Sequence, residues 1–278
     1  MRLGAPIRNT ASPEEWVKEL QKKGYRAAYC PLDEKASDSL IAEYAQAARE
    51  NDIVIAETGG WSNMLAPDPD TNKRNTDFNI ARLILADKIG ARCCVNVSGN
   101  PKDTAEWDLY FPGFDSDDTY ALVAEKVKYI LAQADPAHAK YTLEPMQWMI
   151  PDSAESYTKL IALVDDDRFG VHFDAVNMIN SPSRYAHTGD FIRNFVSAHG
   201  KRICSCHAKD VILRREKMLV HLEEILPGRG TLDYDALLTS VSSLDPDTPV
   251  MLEHLPDLAA YDEAMTFVRS KAEALGLL

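Results

Sequence analysis

Cysteine is scarce and unpaired in pattern: the chain has five, Cys30, Cys93, Cys94, Cys204 and Cys206, with no Cys-x-x-Cys spacing. Each stands in an apolar, strand-like run, so the thiols read as small buried side chains rather than a disulfide framework. Long apolar runs are missing as well. No stretch reaches the ~18 residues of a membrane helix, and the amino-terminal Met-Arg-Leu-Gly-Ala-Pro-Ile-Arg lacks a signal-peptide core. The expectation is a cytoplasmic protein that does not engage a membrane. Basic runs are also absent: 30 Lys and Arg face 43 Asp and Glu, a formal net charge of −13. That field repels a phosphate backbone and argues against nucleic-acid binding. Finally, no Gly-x-Gly-x-x-Gly or phosphate loop follows the first strand-like run, where the chain reads Pro6-Ile7-Arg8-Asn9-Thr10-Ala11. The usual mark of a nucleotide-binding open sheet is therefore lacking.

What is present is the composition of a globular protein, 45% hydrophobic and 26% charged over 278 residues. Strand-like runs recur at Leu3–Arg8, Arg26–Pro31, Ile53–Glu57, Arg92–Val97, Tyr141–Glu144, Val171–Asp174, Ile203–His207 and Val250–Glu253. Between them apolar residues repeat at three- and four-residue spacing, the helical period. Ser12-Pro13-Glu14-Glu15 and Ser153-Ala154-Glu155 supply helix starts, and Gly24, Gly90 and Gly200 are placed to close helices. Eight strand–helix units of about 35 residues predict a parallel sheet closed on itself. The fold expected is α/β, one (β/α)8 barrel over residues 1–278 with no internal boundary.

In such a barrel, chemistry comes from the carboxyl ends of the strands. Four late runs end in side chains that bind metals: Glu144, Asp174, His207 and Glu253, spaced by 30, 33 and 46 residues. Three carboxylates and an imidazole brought to one mouth repel one another unless a cation lies between them. The mixed oxygen and nitrogen set suits Mn²⁺, Mg²⁺ or Co²⁺, with Zn²⁺ also compatible. Strand alternation places Thr142, His172, Ser205 and Met251 beneath these four, facing the lumen.

With the segment His207-Ala-Lys-Asp210, the loop Pro227-Gly-Arg-Gly-Thr-Leu-Asp233 and the closing Met-Leu-Glu253, this set resembles the xylose-isomerase-like TIM-barrel superfamily of sugar isomerases and epimerases. In pattern it is most similar to the D-tagatose 3-epimerase and 3-keto-glycoside epimerase branch. The resemblance implies that Glu144, Asp174, His207 and Glu253 hold a divalent ion, commonly Mn²⁺, and that Glu144 and Glu253 are the catalytic proton-transfer pair. It further implies a carbohydrate substrate that loses a proton next to a carbonyl through an enediolate, and a homodimer or homotetramer. Ketose 3-epimerases usually carry a histidine three residues after the aspartate; here the position is Asn177, a departure that bears on the substrate.

Substrate contacts are expected from loops beyond the strand ends. Glu57 and Trp61 follow the third run, Trp107 lies in the long aromatic stretch 100–118, and Trp148 follows Glu144-Pro145. The flat indole faces suit the C–H faces of a sugar. The long stretch reads as a lid or a subunit contact. His172, Asn177, Lys209 and Arg214 complete the candidate set. His172 also reads as a hydrogen-bonded core residue, and Arg214 and Arg215 as solvated cations. A dehydratase or lyase acting on a keto-sugar or keto-inositol would use the same residues as an epimerase. An apurinic endonuclease and a non-catalytic subunit are the remaining alternatives.

Overall fold

A computed structural model describes residues 1–102 and 108–278. Its strands in chain order are β1 (Arg2–Gly4), β2 (Ala27–Ala28), β3 (Val54–Ile55), β4 (Glu57–Gly59), β5 (Cys93–Asn96), β6 (Lys140–Leu143), β7 (Val171–Asp174), β8 (Ile203–Ala208), β9 (Asp210–Leu213), β10 (Leu222–Ile225) and β11 (Pro249–Leu252). β3 and β4 form one wall strand interrupted at Ala56. All pairings within the wall are parallel: β1 with β11, β11 with β8, β8 with β7, β6 with β5, β5 with β4, and β3 with β2. The remaining seams are closed by backbone bonds, Arg26 N to Leu3 O (3.0 Å) and Gly170 N to Tyr141 O (2.9 Å). The result is the closed eight-stranded barrel expected from the sequence.

The helices form where the sequence signals them. Ser12 caps the helix Pro13–Lys23 by accepting from Glu15 N, and Ser153 caps Ala154–Val164 by accepting from Ser156 N. Gly24 and Gly90 end their helices in the left-handed conformation, at φ +67° and +79°. Gly200 also ends its helix, but stays right-handed (φ −48°) and runs into the short turn Gly200–Arg202.

Two sequence expectations need correction. The first run, placed at Leu3–Arg8, stops as a strand at Gly4; Pro6, just beyond, has no N–H to give a ladder. The stretch after His207 is not a simple loop, because β9 and β10 form an antiparallel hairpin there.

The loop Pro227–Asp233 is organised from beneath by Asp210. Its carboxylate accepts backbone N–H bonds from Val211 and Leu232 (both 2.9 Å) and from Gly228 (2.9 Å) and Gly230 (3.0 Å). Gly230 must be glycine because a Cβ would run into that carboxylate and the Val211 carbonyl. These glycine N–H groups therefore serve an internal acid.

Candidate metal centre

Glu144, Asp174, His207 and Glu253 converge at the carboxyl end of the barrel, each offering a ligand atom within 4.8 Å of the others. Their positions follow from the local chain. Glu144 leaves β6 with its N–H bonded to Asn96 O (2.7 Å), and Pro145 ends the strand behind it. Asp174 ends β7 and caps the next helical turn: Oδ1 accepts from Asn177 N (2.9 Å), leaving Oδ2 aimed at the centre. His207 lies inside β8. Glu253 stands one residue past β11, followed by His254 in the left-handed region (φ +58°), an unfavourable conformation for a side chain other than glycine.

His207 sits at the middle of the group. Its Nδ1 is 3.0 Å from Glu253 Oε2, 3.1 Å from Glu144 Oε1 and 3.6 Å from Asp174 Oδ2. Its Nε2 is 3.1 Å from Glu57 Oε1. A carboxylate only accepts, so Nε2 carries a hydrogen toward Glu57. Burial works against a charge on the ring, but Glu253 and the other acids around it hold His207 protonated, well above the usual histidine pKa, so Nδ1–H also points at the three oxygens. A divalent ion taking the place of the Nδ1 proton would have that nitrogen and the three oxygens, about 3 Å or a little more from it, as donors. That spacing is roughly the edge of an octahedron whose bonds are ~2.1 Å long. Asp174 Oδ2 and Glu253 Oε2 are buried and accept no well-directed hydrogen bond. The donor set therefore fits a hard or borderline divalent ion.

Behind His207, sealed from solvent, lies a second group. Glu57 Oε2 accepts from Ser205 Oγ (2.6 Å) and His172 Nε2 (3.0 Å), while Oε1 takes His207 Nε2. Glu57 is 1% exposed and His172 is fully buried. Burial opposes the Glu57 charge, but His172 and His207 hold its carboxyl well below the usual range. This corrects the expectation that Glu57 and His172 touch substrate: both are spent on fixing the tautomer and direction of His207. Replacing Glu57 with Gln should weaken divalent-ion affinity roughly 10- to 100-fold with the barrel still folded, a change read by Mn²⁺ titration.

The other candidates divide. Trp61 Nε1 donates to Glu144 Oε2 (2.9 Å), and Asn177 Nδ2 donates to Glu144 Oε1 (3.1 Å), so both touch an acid of the donor set directly. Gly59 allows this, since a Cβ there would strike the Trp61 ring. Trp148 donates to Asp108 O (2.5 Å), tying its loop to the stretch after 107. Trp107 lies outside the described residues. Arg214 is on the hairpin, paired with Glu223 (2.6 Å), and is not brought to the centre.

Lys209 is drawn in furthest. It is 1% exposed, with Nζ 2.8 Å from both Asp174 Oδ2 and Glu253 Oε2, 3.7 Å from Glu144 Oε1 and 3.3 Å from Asn177 Oδ1. Burial works to neutralise it, but the three carboxylates prevail and hold the ammonium well above its usual pKa. In turn, burial raises Asp174 and Glu253, and the neighbouring cations outweigh it. Lys209 and His207 hold the Asp174 carboxyl low, and His207 and Lys209 hold that of Glu253 low.

His254, the residue after Glu253, has an unforeseen structural part. Its Nε2 lies 3.4 Å from Glu253 Oε2 and its Nδ1 3.1 Å from Glu224 Oε2, linking the acid to β10. Tyr29, also unforeseen, lies in a T-shaped arrangement with the His207 ring (centroids 6.4 Å) and donates to Leu252 O (3.1 Å). It borders a cleft of about 530 Å³ lined by Pro6, Ile7, Arg8, Asn9 and Cys30. A further cleft of about 620 Å³, lined by Arg92, Lys140 and Arg202, lies at the opposite end of the barrel, away from these ligands.

Fold and site together define a parallel eight-stranded barrel with a carboxylate–imidazole centre at the carboxyl end of its strands. The family model described as Xylose isomerase-like TIM barrel matches residues 16–271, and the chain belongs to that family. The D-psicose 3-epimerase of Clostridium cellulolyticum H10, crystallised with D-tagatose, superposes with a TM-score of 0.68 at 18% identity, covering 97% of this chain and 99% of that one. The apo 3-keto-D-glucoside 4-epimerase of E. coli gives 0.67 at 15%, with 97% and 99% covered. A Xylose isomerase-like TIM barrel protein from Mycobacterium smegmatis in complex with magnesium gives 0.65 at 15%, with 99% and 97% covered. At these identities the likeness is one of fold. No curated protein sequence matches the chain. Among the described residues, no helix is long and apolar enough to cross a membrane.

Proposed function

We propose that the protein is a divalent-metal-dependent sugar epimerase or isomerase acting on a keto-sugar or keto-glycoside. The observation that carries this reading is the placement of two glutamates, Glu144 and Glu253, within one metal-donor set at the carboxyl end of the barrel. An ion held by Glu144, Asp174, His207 and Glu253 would supply Lewis-acid stabilisation of negative charge on a substrate carbonyl and its neighbouring hydroxyl. The names of the similar structures, a psicose and a keto-glucoside epimerase, support a carbohydrate substrate.

The remaining chemistry belongs to the chain. Glu144 and Glu253 reach the centre from the fifth and eighth wall strands, with His207 Nδ1 between them at 3.1 and 3.0 Å. One removes the proton beside the carbonyl as base, and the other returns a proton to the opposite face as acid. Trp61 and Asn177 hold Glu144 in position, while His254 does so for Glu253. Asp174 and His207 anchor the ion. The aromatic surfaces of Trp61, Trp107 and Trp148 are assigned to substrate.

The reading is tested by incubating Mn²⁺-loaded protein with a panel of keto-sugars and 3-keto-glycosides in D₂O and following the products by NMR. The expected product carries one deuterium at an inverted or isomerised carbon and has lost no water. A dehydrated product would assign the site to the lyase class instead. Absence of exchange across the panel would overturn both.

A further inference from the structure

The Lys209 ammonium touches the same oxygen atoms that a divalent ion needs. Asp174 Oδ2 and Glu253 Oε2 are each 2.8 Å from Nζ, and Glu144 Oε1 is 3.7 Å away. These are also the three carboxylate oxygens that His207 Nδ1 faces. The lysine side chain is fully buried, so its charge has no alternative in water, and among the described residues its other polar neighbour is Asn177 Oδ1 at 3.3 Å. Without a cation, three carboxylates within a few ångström, those of Asp174 and Glu144 buried and that of Glu253 nearly so, would repel strongly; with the ammonium, most of that repulsion is offset. A dication bonded to these oxygens adds a second cation to the same lone pairs, a few ångström from the first.

We propose that Lys209 is a built-in counter-ion and that its ammonium and the divalent ion are alternative occupants of the carboxylate group. The ion-free site is held together by Lys209, and metal binding displaces Nζ from Asp174 and Glu253 toward the Asn177 side. The lysine thus lowers metal affinity while keeping the empty barrel mouth folded. This rests on the metal-centre reading above, and concerns a residue that reading does not need as a ligand.

The test compares wild type with Lys209→Met, which keeps the aliphatic stem and removes the charge. Both are stripped with chelator, then titrated with Mn²⁺ while free Mn²⁺ is followed by EPR, and melted with and without the ion. The expected result is at least tenfold tighter Mn²⁺ binding by the variant. Its ion-free form should also melt below wild type, with the gap closing once Mn²⁺ is added. Equal affinities and equal ion-free melting would overturn the counter-ion role while leaving the metal centre intact, and weaker binding by the variant would overturn it as well. Failure of both proteins to bind Mn²⁺ would overturn the metal centre itself and this inference with it. Should Lys209→Met not fold, wild-type crystals decide. Nζ should lie within 3 Å of Asp174 Oδ2 without Mn²⁺ and beyond 4 Å with it; an unchanged position overturns the proposal.

Discussion

Glu144→Gln and Glu253→Gln should each lower turnover by about 10³-fold or more, with melting temperature and circular dichroism close to wild type. General acid–base catalysis contributes roughly 10²–10⁴-fold per group, and each glutamate is also a proposed ion ligand, so both losses fall together. An amide keeps the shape and one acceptor oxygen but can neither take nor return a proton. The two variants should nevertheless differ. Glu144 is enclosed by Trp61 Nε1 on Oε2 and by Asn177 Nδ2 on Oε1. A glutamine can satisfy only one of these donors through its oxygen, and its own N–H₂ would confront the other. Glu144→Gln should therefore disturb local packing more than Glu253→Gln, whose side chain is 15% exposed. Steady-state rates on the substrate found in the D₂O panel, taken at saturating Mn²⁺, separate lost catalysis from lost metal. Wild-type rates in both variants would remove the proposed proton-transfer pair.

His207→Ala should abolish measurable Mn²⁺ binding, a loss of about 10³-fold or more. Losing one of four ligands is only part of the effect. The imidazole is the bridge between two buried acidic groups: Nδ1 faces Glu144, Asp174 and Glu253, and Nε2–H is bonded to Glu57 at 3.1 Å. Without it Glu57 keeps His172 and Ser205 as partners but loses its link to the centre. A buried acid left one partner short costs about 1–3 kcal/mol, so the variant should also melt lower than wild type. Equilibrium dialysis against Mn²⁺ with metal analysis gives the affinity, and urea denaturation gives the stability. Retention of wild-type affinity would show that the ion, if any, is held elsewhere.

The residues that the sequence made legible share one property: they end apolar strands. Periodicity located β6, β7, β8 and β11 closely enough that a barrel topology brings Glu144, Asp174, His207 and Glu253 to one mouth. Glu57 carries the same mark, an acid at a strand end, and so reads as a surface group meeting substrate. Only the structure shows it turned inward. A hint was present in the alternation that places His172 and Ser205 in the lumen, because buried polar side chains there require a polar partner. Lys209 was legible in the same way. It lies two residues after His207, on the same side of the chain, yet a lysine after a strand end is ordinarily solvated. The β9–β10 hairpin escaped because its second arm, Leu-Glu-Glu-Ile, sets two acids side by side and reads neither as an apolar run nor as an alternating one, leaving the first arm without a partner. The approach of His254 to Glu253 escaped because it depends on a left-handed residue that strand alternation does not foresee.

The most direct test of the account is a crystal of the protein soaked with Mn²⁺ and measured at a wavelength where manganese scatters anomalously. A second set of potential ligands, Glu57, His172 and His207, stands only one imidazole away from the first. That set is sealed and leaves no face for a substrate, so the experiment distinguishes two definite positions. One anomalous peak is expected on the Nδ1 side of His207, within bonding distance of Glu144, Asp174 and Glu253. A peak on the Nε2 side, beside Glu57 and His172, or no peak at either position, would contradict it.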